Sequence, residues 1–419
     1  MTNSPPVSVH EKGNASSLAP YTVLSSGIDT LYLNYKLTWE NMNFLNSLKE
    51  YREEAKASQQ PVLIMMQTNI PDEAGVFMVK PFGSGGYAYL LTSDEYALKF
   101  VHPGEDSGDT LTRPPLNAEF HSLLLHAMGS KAAESRLQNL LSSAGAVIHS
   151  VHVSRVDMFC DILLPESEWG EFIKQQLVGR AKDIARYDSG KLFSGFSIGR
   201  GVISARFYDK PLEVIKSGKS WMYEEWGIPV GGVPEGMRII RVEFQLRREK
   251  IKELGIDTFI DLKAYIAKLW AYCTQEWLKV MDNPGKHTTR RKILPWWEAV
   301  QNGFLGLPAG KPLIAARRVS ADKKRAYRNM LGYMSSYFAA DHLIKPLSGQ
   351  QAEELVRVLR PFFPELDFEG FLGANLLGLV LDKCSRYNRS AEKYSHAMEV
   401  REEKDSFTDD YQHIEDIPF

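Results

Sequence analysis

Apolar and polar residues alternate strictly in two stretches near the middle of the chain. In residues 238–249, Ile240, Val242, Phe244 and Leu246 alternate with Arg241, Glu243, Gln245 and Arg247. In residues 202–208, Val202, Ser204, Arg206 and Tyr208 fall on one side, with Ile203, Ala205 and Phe207 on the other. A period of two marks a strand with one buried and one polar face. Glu243 is therefore flanked by arginines on a single face, and Tyr208 shares a face with Arg206. A tyrosine, a carboxylate and several arginines on a sheet face suit chemistry on a phosphodiester. From pattern alone the plainer reading is a half-exposed antiparallel sheet with a solvated charged face.

The same reading extends along the chain. Residues 1–20 are rich in Ser, Pro, Asn and Gly and read as a disordered arm. A strand opens at Ser26, and residues 38–57 read as a helix. Strands fall within 76–101 and over 117–127, and a helix over 132–144. Residues 151–164 form the next strand, followed by a helix over 168–185. Gly83–Gly86 reads as a turn, because it lacks a phosphate loop's lysine and following helix. Two pairs of segments echo each other: Asp29 precedes Asp157 by 128 residues, and Glu119 precedes Glu243 by 124. These nearly equal offsets predict an α+β fold, a pseudo-duplicated antiparallel sheet with helices on one face. Its halves span about 21–145 and 146–285. Beyond Lys250 the pattern turns helical, giving a helix over 259–281, a helical C-terminal region over 311–390 and a flexible acidic tail over 391–419.

Composition narrows the function classes. A chain of 419 residues with a net charge of -2 is not uniformly basic, although a local basic groove remains open to it. Three dispersed cysteines, Cys160, Cys273 and Cys384, form neither a disulfide framework nor a zinc motif, which fits a reducing cytoplasm. No apolar run reaches membrane-spanning length, so no membrane partner is expected. Basic residues gather at Arg290 and Arg291, then at Arg317, Arg318, Lys323, Lys324 and Arg325, with aromatics close behind. Such clusters can neutralise phosphates and stack on unpaired bases, or form the solvated side of an amphipathic helix.

Over Arg155–Asp157, Ala205–Lys210 and Arg241–Arg247 the chain resembles the rolling-circle replication initiation factors of plasmids and filamentous phages. The opening Ser26–Tyr32 and the tryptophan after the basic loop extend the resemblance over about 22–310. It implies a replication-initiator nicking domain over 21–310, with Tyr208 as the nucleophile and Arg206 and Lys210 as groups that activate it. It also implies Mg²⁺ or Mn²⁺ held by Asp157 and Glu243, with Asp209 a secondary ligand. Asp161 is about 13 Å from Asp157 along a strand, so one ion is not expected to bind both. His149 and His152 lack the spacing of the wider superfamily's metal-binding histidines, and His121 is no better placed. Arg241, Arg247 and Arg248 join the basic clusters as expected DNA contacts. The implied partner is origin DNA, single-stranded or hairpin at the nick site. A second copy of the chain could supply a rejoining tyrosine. Within one chain, Tyr187 and Tyr223 are the next phenols to consider.

The last residues, Asp416, Ile417, Pro418 and Phe419, resemble the acidic tip of bacterial single-stranded DNA-binding protein. That resemblance implies docking on a host helicase or another tip-binding protein; a solubilising acidic tail is the plainer reading. Two other functions share these features: a non-enzymatic origin-binding protein, and a mobilisation relaxase with the same chemistry.

Overall fold

The computed structural model describes residues 18–315, apart from 69, 71–73, 102–112, 182, 191, 283–284, 286–289 and 309, together with Arg357. The chain divides into two units, Met1–Arg317 and Arg318–Phe419, and the described residues other than Arg357 belong to the first. The disordered arm, apart from 18–20, the acidic tail and nearly all of the helical C-terminal region lie outside the described residues. So do Arg317, Arg318, Lys323, Lys324, Arg325 and Asp416–Phe419.

Mixed helices and strands build an α+β fold around one large antiparallel sheet. The first half contains β1 (Val23–Trp39), α1 (Asn43–Ser58), β2 (Val62–Gln67), β3 (Ala74–Val79), β4 (Tyr89–Thr92), β5 (Tyr96–Phe100), β6 (Leu116–Phe120) and α2 (Ser122–Ser143). The second half begins with β7 (Ala146–Pro165), α3 (Ile173–Gln176), β8 (Leu177–Gly179), β9 (Ile184–Ser189), β10 (Leu192–Ile198) and β11 (Ile203–Asp209). It continues with α4 (Lys210–Ser217), α5 (Trp221–Glu225), β12 (Met237–Arg247), α6 (Arg248–Glu253), α7 (Phe259–Ala271), β13 (Leu278–Val280) and α8 (Pro295–Asn302). The sheet order is β2-β3-β4-β5-β6-β1-β7-β12-β11-β10-β9. β1 and β7 thus form the centre, and each half runs outward from its own first strand, through β6 to β2 on one side and through β12 to β9 on the other.

The alternation that marked β11 and β12 in sequence is the observed burial. Ile203, Ala205 and Phe207 are buried, as are Ile240, Val242, Phe244 and Leu246. Beneath them lies a cluster of aromatic rings. Phe207 is 5.5 Å from Trp297, and Phe244 is 5.5 Å from Trp270 and 6.0 Å from Trp277. Burying one such ring stabilises the fold by roughly 1.5–3 kcal/mol. The polar faces of β11 and β12 therefore stand on a rigid floor.

Three expectations are corrected. Residues 168–185 form only the short α3, which starts after Gly170 and passes directly into β8, before the chain turns into β9. Residues 117–127 leave the sheet after Phe120, and α2 starts at Ser122. Helices also occur on both faces. α7 and α8 cover the aromatic face, whereas Val214 of α4 and Met222 and Tyr223 of α5 pack with Leu24, Leu163 and Ile239 at one end of the polar face. Leu163 and Ile239 pair across β7 and β12 in the same alternation as Asp161 and Arg241, so the end of the polar face they occupy is covered.

Candidate active site

Directly paired residues on antiparallel strands point to the same face. Tyr208 pairs with Arg241 and Arg206 with Glu243, across β11 and β12. Gln245 pairs with Asp157 across β12 and β7, and Thr30 pairs with Asp157 across β7 and β1. Four strands therefore aim their polar residues at one open pocket of about 490 Å³.

At its centre is a short hydrogen-bonded row. The Tyr208 hydroxyl donates to Glu243 Oε2 at 2.9 Å. Arg206 Nη2 donates to Glu243 Oε1 at 2.5 Å and to Asp157 Oδ2 at 3.4 Å. Arg155 closes the row, with Nε 2.8 Å from Asp157 Oδ1. Asp157 and Glu243 are almost fully buried, while the Arg206 side chain keeps 36% of its exposure. Burial pushes the carboxyls of Asp157 and Glu243 up, and the nearby guanidinium groups only partly reverse this. Burial, and then the Glu243 carboxylate, pushes the Tyr208 phenol well above its ordinary value. Lys210 lies 5.7 Å from the centre of the Tyr208 ring and bonds Glu213 at 2.5 Å. Burial and the Arg241 charge push the Lys210 ammonium down.

Around this row lies a buried charge network. Arg241 is fully buried, with Nη1 2.6 Å from Asp29 and Nε 2.6 Å from Asp161. The Trp226 indole donates to Asp161 at 2.9 Å. His126 lies 2.5 Å from Glu225 and 3.4 Å from Asp29, on the first segment of α2, which breaks at Gly129. Burial pushes the Asp29 carboxyl up, but Arg241 and His126 outweigh it and hold it well below the usual carboxylate range. Asp29 reaches the pocket because it is the extra residue of a β-bulge: Ile28 pairs with Met158 and Thr30 with Asp157.

The sequence candidates thus separate. Tyr208, Arg206, Glu243, Asp157 and Lys210 come together. Asp209 does not join the carboxylates: Oδ1 accepts from Leu212 N at 3.1 Å, capping α4, and Oδ2 accepts from Arg238 at 3.0 Å. Asp209→Ala is expected to cost about 1–2 kcal/mol through the lost cap, with Asn better tolerated. Thermal unfolding of the two variants checks this. Arg241 cannot meet DNA, because it is buried beneath α4 and α5. Arg248 is also occupied, with Nη1 2.8 Å from Val153 O and 2.7 Å from Asp257 O. Arg247 and Arg290 are exposed and Arg291 is partly so. Tyr223 is buried in the smaller apolar cluster. His149 bonds Thr38, His152 bonds Ser150, and His121 contacts the Asp94 carbonyl.

Asp29, Arg155, Glu213 and Lys219 were missed as pocket residues. The echo that matched Asp29 with Asp157 was a signal for the first of them, since the two matched positions lie beside each other at the sheet centre.

Among the described residues no three His, Cys, Asp or Glu side chains are grouped to hold a metal ion. Asp157 and Glu243 nevertheless present hard oxygens to one shared cation, the Arg206 guanidinium. Two carboxylates suffice for Mg²⁺ or Mn²⁺ when waters and a phosphate complete the shell, so this donor pair fits such an ion.

No family model and no curated protein matches the chain. Among solved structures it is similar to the rolling circle replication initiator protein from Geobacillus stearothermophilus. The identity is 14%, the TM-score is 0.39, and the match covers 70% of this chain and 99% of that one. That likeness is too distant to assign chemistry, so the side-chain geometry carries the reading that follows.

Proposed function

We propose that the protein nicks and rejoins a DNA strand at a specific site, through a phosphotyrosine intermediate on Tyr208, to initiate rolling-circle replication of a plasmid or phage. One observation carries the reading: the Tyr208 hydroxyl donates to a buried carboxylate that is itself bridged by Arg206 to a second one. A module that only binds DNA needs cations; it has no use for a phenol aligned on a base. A mobilisation relaxase would use the same chemistry for a different biological end.

In the proposed step, Tyr208 Oη attacks phosphorus as the P–O3′ bond breaks. The phenolic proton passes to Glu243, and the departing 3′ oxygen takes a proton from water. One phosphodiester replaces another, so the step runs in reverse to reseal the strand. Phenol is a poor nucleophile in its neutral form, and this site raises its pKa further. Glu243 as general base answers that problem. Arg206, whose side chain is about one-third exposed, is placed to leave the carboxylates for the phosphate oxygens. Asp157 and Glu243 would hold the divalent ion, which would supply charge stabilisation at the nonbridging oxygens. The two halves of the sheet, running outward alike from β1 and β7, are read as a duplication in which the second half keeps the nucleophile.

The test is incubation of full-length protein with supercoiled plasmids carrying candidate origin fragments and Mg²⁺ or Mn²⁺. Protein attached to the 5′ end of one strand is the expected product. Tight, salt-sensitive binding without nicking would favour an origin-binding protein instead.

A pH profile follows from the base. Glu243 must be ionised to take the phenolic proton, so nicking should rise with pH through a limb as the buried carboxyls lose their proton; burial raises them, and the bound divalent ion would bring them back down. That limb belongs to Glu243 and Asp157 jointly. Single-turnover rates on a single-stranded oligonucleotide check it: Glu243→Gln should lower the rate about 10²–10⁴-fold and change the shape of the limb, leaving only the Asp157 step.

A further inference from the structure

Tyr187 and Tyr208 stand in one cross-strand row with a glycine between them. Tyr187 on β9 pairs with Gly195 on β10, and Gly195 pairs with Tyr208 on β11. All three positions share the polar face. Strands two apart are separated by roughly 10 Å, room for a flat heterocycle and too far for the rings to touch. The glycine is required by packing: a Cβ there would lie 2.3 Å from the Phe207 carbonyl oxygen and 2.7 Å from Tyr208 Cβ. It leaves an open gap between two phenols. Tyr187 has no core to fill, since β9 is exposed along almost its whole length and Tyr187 retains 41% exposure. It lines the same pocket as Tyr208, alongside Lys216 and Lys219. Its strand is held by Arg186, which bonds Asp188 at 2.8 Å and pairs with Glu171.

We propose that Tyr187, over Gly195, forms a stacking slot for an unpaired nucleobase next to the phosphate that Tyr208 attacks. This rests on the nicking reading for its ligand, single-stranded DNA. A sheet-borne aromatic stacks on any base by its face, and a neighbouring cation holds the backbone. The slot would fix the strand so that the phosphate meets Tyr208 Oη, which makes Tyr187 a positioning residue. Its hydroxyl has no part in this role.

The experiment uses full-length protein in a Tyr208→Phe background, so that cleavage cannot disturb binding. The probes are a fluorescein-labelled single-stranded oligonucleotide and the same strand made abasic throughout, read by anisotropy. Tyr187→Ala should bind the base-bearing strand about 5- to 100-fold more weakly and the abasic strand unchanged. Tyr187→Phe should bind both within about twofold of the parent. Equal losses on both probes, no loss on either, or a Phe variant as weak as Ala would each overturn the slot; the last would mean that the Tyr187 hydroxyl hydrogen-bonds the strand. These results are separate from the nicking reading. If the parent binds no single strand at all, that reading falls with the slot.

Discussion

Tyr208→Phe is expected to abolish covalent attachment of the protein to a nicked strand while leaving the fold intact. The substitution removes one oxygen atom, and that oxygen is the proposed nucleophile. No other phenol sits on a carboxylate in the pocket: among the described residues lining it, Tyr187 is the other tyrosine, and its ring is across the Gly195 gap. Loss of a nucleophile leaves only binding and electrostatic stabilisation, so the nicking rate should fall by about 10⁴-fold or more. The structural cost is small. Glu243 loses one donor on Oε2 but keeps Arg206 on Oε1, so a penalty of about 1–3 kcal/mol is expected for the half-satisfied carboxylate. The phenylalanine ring still rests on the same sheet face. Single-turnover nicking and thermal unfolding of the variant, measured together, separate the two effects. Nicking at the wild-type rate would remove Tyr208 from the mechanism.

The residues of this site differ in how far the sequence revealed them. β11 and β12 were legible because each buries apolar side chains on the tryptophan floor and turns polar ones to the other face, and that asymmetry is written as a period of two. Tyr208, Arg206 and Glu243 follow from it with their directions correct. Asp29 was hidden because a bulge, not the strand's alternation, turns it into the pocket. Arg241 and Arg206 are indistinguishable by pattern, both on the polar face of half-buried strands. What separates them is α4 and α5, which cover the end of the face that holds Arg241 and leave Arg206 partly open. That covering is set by contacts between residues far apart in the chain, such as Ser25 with Glu225 and Trp226 with Asp161. Asp209 was legible as a strand-ending residue, but its cap on α4 competes for the oxygens a metal would need. The helix expected over 168–185 failed because Gly170 delays its start and Leu177–Gly179 pair with β13, which outweighs the local helical pattern.

Arg241→Met should be the most destabilising of the substitutions considered. Arg241 is fully buried and binds Asp161 through two nitrogens, at 2.6 and 2.8 Å, and Asp29 through a third. Its guanidinium also lies 4.0 Å from the centre of the Phe159 ring. Methionine fills much of the volume but leaves Asp161 and Asp29 without their cation. Removing one partner of a buried ion pair costs about 3–5 kcal/mol. At roughly 2–4 °C per kcal/mol, the midpoint should drop by about 10 °C. The deficit also has a pH signature. Asp29 is held well below the usual carboxylate range, and Arg241 is its strongest cationic cause. A depressed carboxyl contributes stability above its unfolded pKa and loses it as pH falls through the folded value. The wild type holds that contribution in full above the ordinary aspartate range and loses it progressively as pH falls from there to the folded value. The variant lacks it at every pH, and protonation relieves its orphaned carboxylates as the medium acidifies. The gap between the two proteins should therefore be widest near neutrality and narrow towards about pH 4 and below. Asp161→Leu added to Arg241→Met should recover part of the loss, because an apolar pair replaces a broken ionic one. Urea unfolding of the three proteins across that range is the measurement. A variant as stable as the wild type at neutral pH would mean that Arg241 is not the keystone of the charge network behind Tyr208.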